Sequence, residues 1–326
     1  MWKYLVAAMM LPSVLFISCQ KKASDVEQQG KNQEDIVALL QNLSVTSKTT
    51  GDAGARNATP RQSSFHLLSF AIAKAGLANE LNNPRFAYTL FAPTDEAFAA
   101  MGLTTRDAIE GVPSETLKGI LLYHVLGSKV MAAQVPTTYT ELTMLDSKKA
   151  YIIRKSNGVF INGSEVVAAD IEAKSGVIHA INRVLMPPTG TIVDVAAANP
   201  NFTYLVAAVQ RAGLVNALSG AGPLTVFAPT NQAFINAGFP TIASIQAASP
   251  AALIPILTYH VAAGRVFSSD LSNGQVLTML SGGTTTVSLT SGAQIDGASS
   301  APSNITQTDI VATNGVIHVI DRVLLP

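Results

Sequence analysis

The chain has 326 residues, 48% of them apolar and only 13% charged, with 21 basic and 21 acidic side chains giving zero net charge. That length holds two ordinary domains of about 100 to 200 residues, and the charged share is about half the roughly 25% usual in soluble chains. Zero net charge supplies no long-range field to gather phosphate backbones, so nucleic acid is excluded as an expected partner.

The chain opens as an export signal. Lys3 precedes residues 4–17, a 14-residue apolar run interrupted by Pro12, which is shorter than the roughly 20 residues needed to span a bilayer and fits a signal-peptide core. Leu15, Phe16, Ile17 and Ser18 then lead into Cys19, the single cysteine, so no disulfide can form within the chain. This order resembles the lipobox of bacterial lipoproteins, which implies lipidation of Cys19 and anchoring through several acyl chains. Residues 1–19 are therefore expected to be a lipoprotein signal peptide ending at that cysteine. Polar residues 20–30 read as a flexible tether.

Residues 35–41 begin the first folded region, and residues 42–62, rich in Ser, Thr, Asn and Gly, read as a mobile surface loop. Phe65, Leu68, Ile72 and Leu77 then recur at helical spacing. Thr89-Leu90-Phe91-Ala92 reads as a short buried strand ended by Pro93. Thr94 is placed to cap the next helix, with Asp95 and Glu96 in its favourable first turn. Leu117, Ile120 and Leu121 mark a further helix leading into Tyr123-His124. From Leu142 the pattern turns to β, with Tyr151-Ile152-Ile153 and Val159-Phe160-Ile161 separated by an Asn-Gly turn.

The same order then returns. Thr225-Val226-Phe227-Ala228-Pro229-Thr230 repeats the Thr89 block at an offset of 136, as Tyr259-His260-Val261 repeats Tyr123-His124-Val125. Residues 315–326 repeat residues 176–187 at 139, the drift being assigned to an insertion at residues 298–303. Two copies long enough for separate cores mean tandem domains, expected over residues 31–188 and 189–326. Helices first and antiparallel strands later argue for an α+β class, against the alternation of a doubly wound enzyme.

These three blocks resemble the fasciclin-type domain. The resemblance implies two tandem domains, each an antiparallel β-sandwich wedge with packed helices, and an adhesion or ligand-binding role without catalysis. In matrix members of that family, an Asp-Ile pair before the last strand and the Tyr-His region are implicated in partner contact. The matching positions are Asp170-Ile171 and Asp309-Ile310, with Tyr123-His124 and Tyr259-His260.

The repeated histidines admit a sharper reading, in which His124 and His179 with Asp170, and His260 and His318 with Asp309, would hold zinc for hydrolysis. Neither HExxH nor a general-base Glu shared by both copies accompanies them, and no G-x-S-x-G elbow is present. They are expected to be structural imidazoles, with no cofactor. Asp170 and Asp309 are expected to satisfy nearby N–H groups, and Arg183 and Arg322 to pair with carboxylates. The expected function is a non-enzymatic adhesion or ligand-binding lipoprotein of the cell envelope, meeting the membrane through its lipid and a surface protein or glycan through its domains. Alternatives are an accessory lipoprotein of polysaccharide uptake or envelope assembly, and a metal-dependent hydrolase.

Overall fold

A computed structural model describes residues 34–46 and 64–326. The signal segment, Cys19, the tether and most of the expected loop lie outside the described residues. The chain divides into two units, residues 1–34 and 35–326, and the second contains both repeats.

In the first repeat, α1 (Ile36–Thr46), α2 (His66–Lys74) and α3 (Ala78–Leu81) lead into β1 (Tyr88–Pro93). Helix α1 runs five residues into the stretch expected to be loop, because Leu43 continues the apolar stripe of Ile36, Leu39 and Leu40 against the core. After β1 come α4 (Asp95–Ala99), α5 (Arg106–Glu110), α6 (Ser114–Leu122) and the short β2 (Val125–Leu126). A meander follows through β3 (Thr140–Thr143), β4 (Lys149–Lys155), β5 (Gly158–Ile161) and β6 (Ser164–Ala173) to β7 (Gly176–Ile181).

The second repeat retraces this path. Helices α7 (Ile192–Ala198), α8 (Thr203–Arg211) and α9 (Val215–Ser219) precede β8 (Leu224–Pro229). Next come α10 (Asn231–Asn236), α11 (Ile242–Ala247), α12 (Pro250–Thr258) and β9 (Val261–Ala263). The repeat closes with β10 (Val276–Thr278), β11 (Thr284–Ser288), β12 (Gln294–Asp296), β13 (Ser303–Ala312) and β14 (Gly315–Ile320). The β5–β6 turn is Asn162-Gly163, whereas six residues, 297–302, join β12 to β13, which places the expected insertion.

Each repeat carries a seven-stranded sheet, in the order β2-β1-β7-β6-β5-β4-β3 and its counterpart β9-β8-β14-β13-β12-β11-β10. The α+β class stands, but the sheet is mixed rather than wholly antiparallel. Strand β1 pairs parallel with β7, Tyr88 opposite Gly176 and Pro93 opposite Ile181, and β8 pairs likewise with β14. Every residue of β1 and β7 is buried, as is usual for parallel strands covered on both faces.

Two apolar layers follow from the period of two along these strands. Leu90 and Ala92 with Ile178 and Ala180 face the helices, packing against Phe65, Leu68, Ile72 and Leu121. Phe91 and Ile181 face the other way, into a layer with Tyr123, Ile152, Ile161 and Leu185. The second repeat has the same pair of layers. Strand β6 joins them, and register shifts between Val166 and Ile171 bend it, as β13 is bent between Ile305 and Ile310.

Candidate functional site

The repeated polar side chains are built into the frame. Helix α6 ends so that His124 Nδ1 lies 2.8 Å from Ile120 O, while its Nε2 accepts the Leu185 N–H at 2.9 Å. His260 makes the same two bonds, to Ile256 O at 2.8 Å and from Leu324 N at 2.9 Å. Burial lowers both imidazoles to about 4, so they are neutral, with the proton on Nδ1 facing the carbonyl. Tyr123 is fully buried, and its hydroxyl donates to Lys149 O at 2.7 Å. Tyr259 repeats this toward Thr284 O at 2.5 Å.

Tyr123, His124, Tyr259 and His260, which the resemblance offered as partner contacts, therefore have almost no exposed surface. They tie the closing segments and the β4 or β11 strand to the helices.

The second histidine of each repeat serves the bulge. His179 Nε2 faces Val130 O at 2.8 Å, and its Nδ1 accepts the Asp170 N–H at 3.2 Å. His318 faces Val266 O at 2.8 Å and accepts from Asp309 N at 3.4 Å. Burial lowers both pKa values. Among the described residues, no three His, Cys, Asp or Glu side chains gather as metal ligands would.

Asp170 and Asp309 occupy the bulges at φ +59° and +64°, a left-handed conformation that Asp tolerates better than most residues. Oδ1 of Asp170 accepts the Ala132 N–H at 2.8 Å, and that of Asp309 the Ser268 N–H at 2.7 Å, as expected of residues satisfying backbone donors. There the equivalence ends. The Asp170 side chain is 37% exposed, with Ile171 half-buried beside it, whereas the Asp309 side chain is 4% exposed because the first repeat covers it.

That cover is a junction between the repeats. Arg183 Nη1 lies 2.6 Å from Asp309 Oδ2 and donates to Thr308 Oγ1 at 2.8 Å. Lys155 Nζ reaches Asp270 Oδ1 at 2.5 Å and Ser269 O at 2.6 Å, and Tyr139 OH lies 2.8 Å from both Asp270 oxygens. The Arg265 guanidinium sits 4.1 Å over the Tyr151 ring, and Phe267 is fully buried with Val311 and Val316 against Tyr139 and Tyr151. Gly163 allows the close approach, since a Cβ there would stand 2.7 Å from Asp309 Cγ.

Arg183 thus pairs with a carboxylate as its sequence suggested, but with one from the other repeat. The remaining junction residues escaped the sequence reading, which sought features shared by both copies. Their signal lay in divergence: Tyr151 opposes Glu141 where Thr286 opposes Val276, and Met131 and Gln134 stand where the second repeat has Phe267 and Asp270.

A cluster of Ser64, His66 and Asp95 also forms in the first repeat, at a place where the second repeat has Asn231 for Asp95. Ser64 Oγ is 2.7 Å from His66 Nδ1 and donates to Asp95 Oδ2, which is 3.1 Å from the same Nδ1. Serine and carboxylate meet one nitrogen, so the imidazole cannot relay a proton from one to the other as a hydrolase triad requires. Asp95 also accepts the Leu67 N–H at 2.9 Å, capping α2 from a distance, as Asn231 does for Tyr204 N at 3.0 Å. Burial alone would raise the Asp95 carboxyl, but these hydrogen bonds hold it below the ordinary range.

The Fasciclin domain model matches residues 63–187 and again 200–326. The chain belongs to the fasciclin-domain family. Transforming growth factor-beta-induced protein ig-h3 of Sus scrofa is 30% identical over 251 residues, covering 77% of this chain and 36% of that protein. Protein sll1483 of Synechocystis is 44% identical over 138 residues, 42% of this chain and 73% of that one. A solved FAS1 domain pair from the insect cell adhesion molecule Fasciclin I covers 80% of this chain and 97% of its own at 18% identity and a TM-score of 0.39. The chain spans about a third of the length of ig-h3, and its two fasciclin domains are the common ground.

Proposed function

We propose that the chain is a non-enzymatic binding module of a bacterial cell envelope, tethered by lipid at Cys19 and presenting its two fasciclin domains to a surface protein or glycan. The observation that carries this reading is the placement of the repeated polar groups. Each of the four repeated imidazoles holds backbone groups with both ring nitrogens. A side chain so engaged has no free lone pair for a metal or a substrate proton, and recognition then falls to exposed surface. Of the eight positions carried over from the family resemblance, Asp170 and Ile171 support that role best, because Asp170 is the bulge carboxylate left open to solvent. The order of residues 15–19 supports the lipid tether.

Labelled palmitate fed to expressing cells tests the tether. The Cys19→Ala chain should lose the label and move from the membrane to the soluble fraction, and label retained by that variant would sink the reading. For recognition, Asp170→Asn, which removes the charge but keeps an oxygen for the Ala132 N–H and tolerates the left-handed backbone, should lower retention of the protein on its native cell surface with little change in its melting temperature.

A further inference from the structure

The junction between the domains leaves a groove of two adjoining clefts, both lined by Tyr151 and Thr313. One, of about 310 Å³, lies between the β3–β4 turn, the linker at Pro188 and Thr189, and the β13–β14 turn. The other, of about 420 Å³, runs on past Arg265 to the backbone of residues 219–223. Both sizes fall in the roughly 300 to 1,000 Å³ range of small-ligand sites. Neither cleft belongs to one domain alone, since Tyr151 of β4 in the first and Thr313 of the β13–β14 turn in the second line both.

The chemistry of those walls is one-sided. Lys148, Lys149 and Arg265 line the groove, and no Asp or Glu does. The lysines have nearby acids, Asp146 at 3.9 Å and Glu141 at 3.0 Å, outside the lining. Arg265 has no carboxylate partner among the described ion pairs. Its guanidinium donates to Ala312 O at 3.2 Å, to Gly315 O and to the Tyr151 hydroxyl at 3.3 Å. Carbonyls and the Tyr151 hydroxyl satisfy its N–H groups, and the Glu141 carboxylate acts on it only across that hydroxyl, which lies 3.3 Å from Glu141 Oε2; a half-buried guanidinium with no carboxylate in direct contact favours an anion arriving from solvent. Ser147, Thr189, Thr191, Ser219, Thr313 and Asn314 line the rest, with the Thr191 hydroxyl donating to Asp194 and the Asn314 amide held by the Ile192 N–H and the Leu218 and Gly220 carbonyls. A cationic groove rich in serine and threonine matches a chain of hydroxyl groups bearing periodic negative charge.

We infer that the groove between the two domains binds an acidic oligosaccharide, with uronate carboxylates directed to Arg265 and the lysine pair. This rests on the binding-module reading and adds to it a location and a ligand class.

Calorimetric titration of the full chain in detergent with an oligouronate tests it, with a neutral glucan oligomer, free glucuronate and inorganic phosphate as separate arms. The oligouronate should bind and the other three at least about tenfold more weakly, one charge-assisted contact being worth about that factor. Lys148→Ala, at the exposed rim, should weaken binding about threefold, and Arg265→Gln about tenfold or more. Melting curves identify a variant that has lost its fold, and Lys148→Ala keeps the test decisive if Arg265→Gln does. Equal binding of the neutral oligomer, equal binding of phosphate, or unchanged affinity in both variants overturns the assignment. Absence of oligouronate binding overturns it too, while leaving the palmitate and cell-surface results to decide the broader reading.

Discussion

His124 and His260 illustrate how one side chain can set a property of the whole fold. Each is neutral when folded, with its pKa lowered by burial to about 4, against about 6.5 in an unfolded chain. Between those values the unfolded state binds more protons than the native one, so stability falls as pH drops from about 6.5 to 4 and is insensitive to these groups above that window. At about 1.4 kcal/mol per pKa unit, each imidazole accounts for a loss on the order of 3 kcal/mol across the window. Urea unfolding at pH 7, 5.5 and 4.5 should show this decline. Replacing His124 with Gln, which can still donate and accept, should lower stability at pH 7 and make the acid slope shallower. A slope unchanged in that variant would assign the acid sensitivity elsewhere.

At the scale of the element, much was legible because the signals are local. Thr94 and Thr230 follow a strand-ending proline, and each hydroxyl accepts the N–H three residues on, at 3.3 Å, opening α4 and α10. Thr94→Ala and Thr230→Ala should each cost about 1 kcal/mol, measured as a shift in urea midpoint. The parallel partnership of β1 with β7 was not legible, because it joins segments more than 80 residues apart and strand direction leaves no mark in composition. Its one trace is glycine. A Cβ at Gly176 would stand 2.0 Å from Tyr88 O, and one at Gly315 2.2 Å from Leu224 O, where the parallel neighbour crosses. Backbone cannot yield as a side-chain tip can. Gly176→Ala should therefore cost about 3 kcal/mol or more, while Gly119→Ala on α6, with nothing near its Cβ position, should be neutral or stabilising.

For the whole molecule the question is what makes two copies of one domain into one body. Repetition identified the domains but concealed their junction, since Arg183 and Arg322 look alike in sequence, as do Asp170 and Asp309. The structure separates them: Arg183 meets Asp309, whereas Arg322 is exposed and Asp170 opens to solvent. Both aspartates perform the same local task of accepting a backbone N–H at a bulge, so truncating either removes a comparable internal contact and only one removes a domain contact. Double-mutant cycles on the full chain read this difference directly. The Arg183→Ala and Asp309→Ala cycle should give a coupling energy of about 1 to 2 kcal/mol, between an exposed pair and a buried one. The Arg322→Ala and Asp170→Ala cycle should be additive within about 0.5 kcal/mol. Small-angle scattering should then show Asp309→Ala, and not Asp170→Ala, broadening the distance distribution between the domains. Equal coupling in both cycles would mean that the Arg183–Asp309 contact contributes nothing of its own to joining the domains.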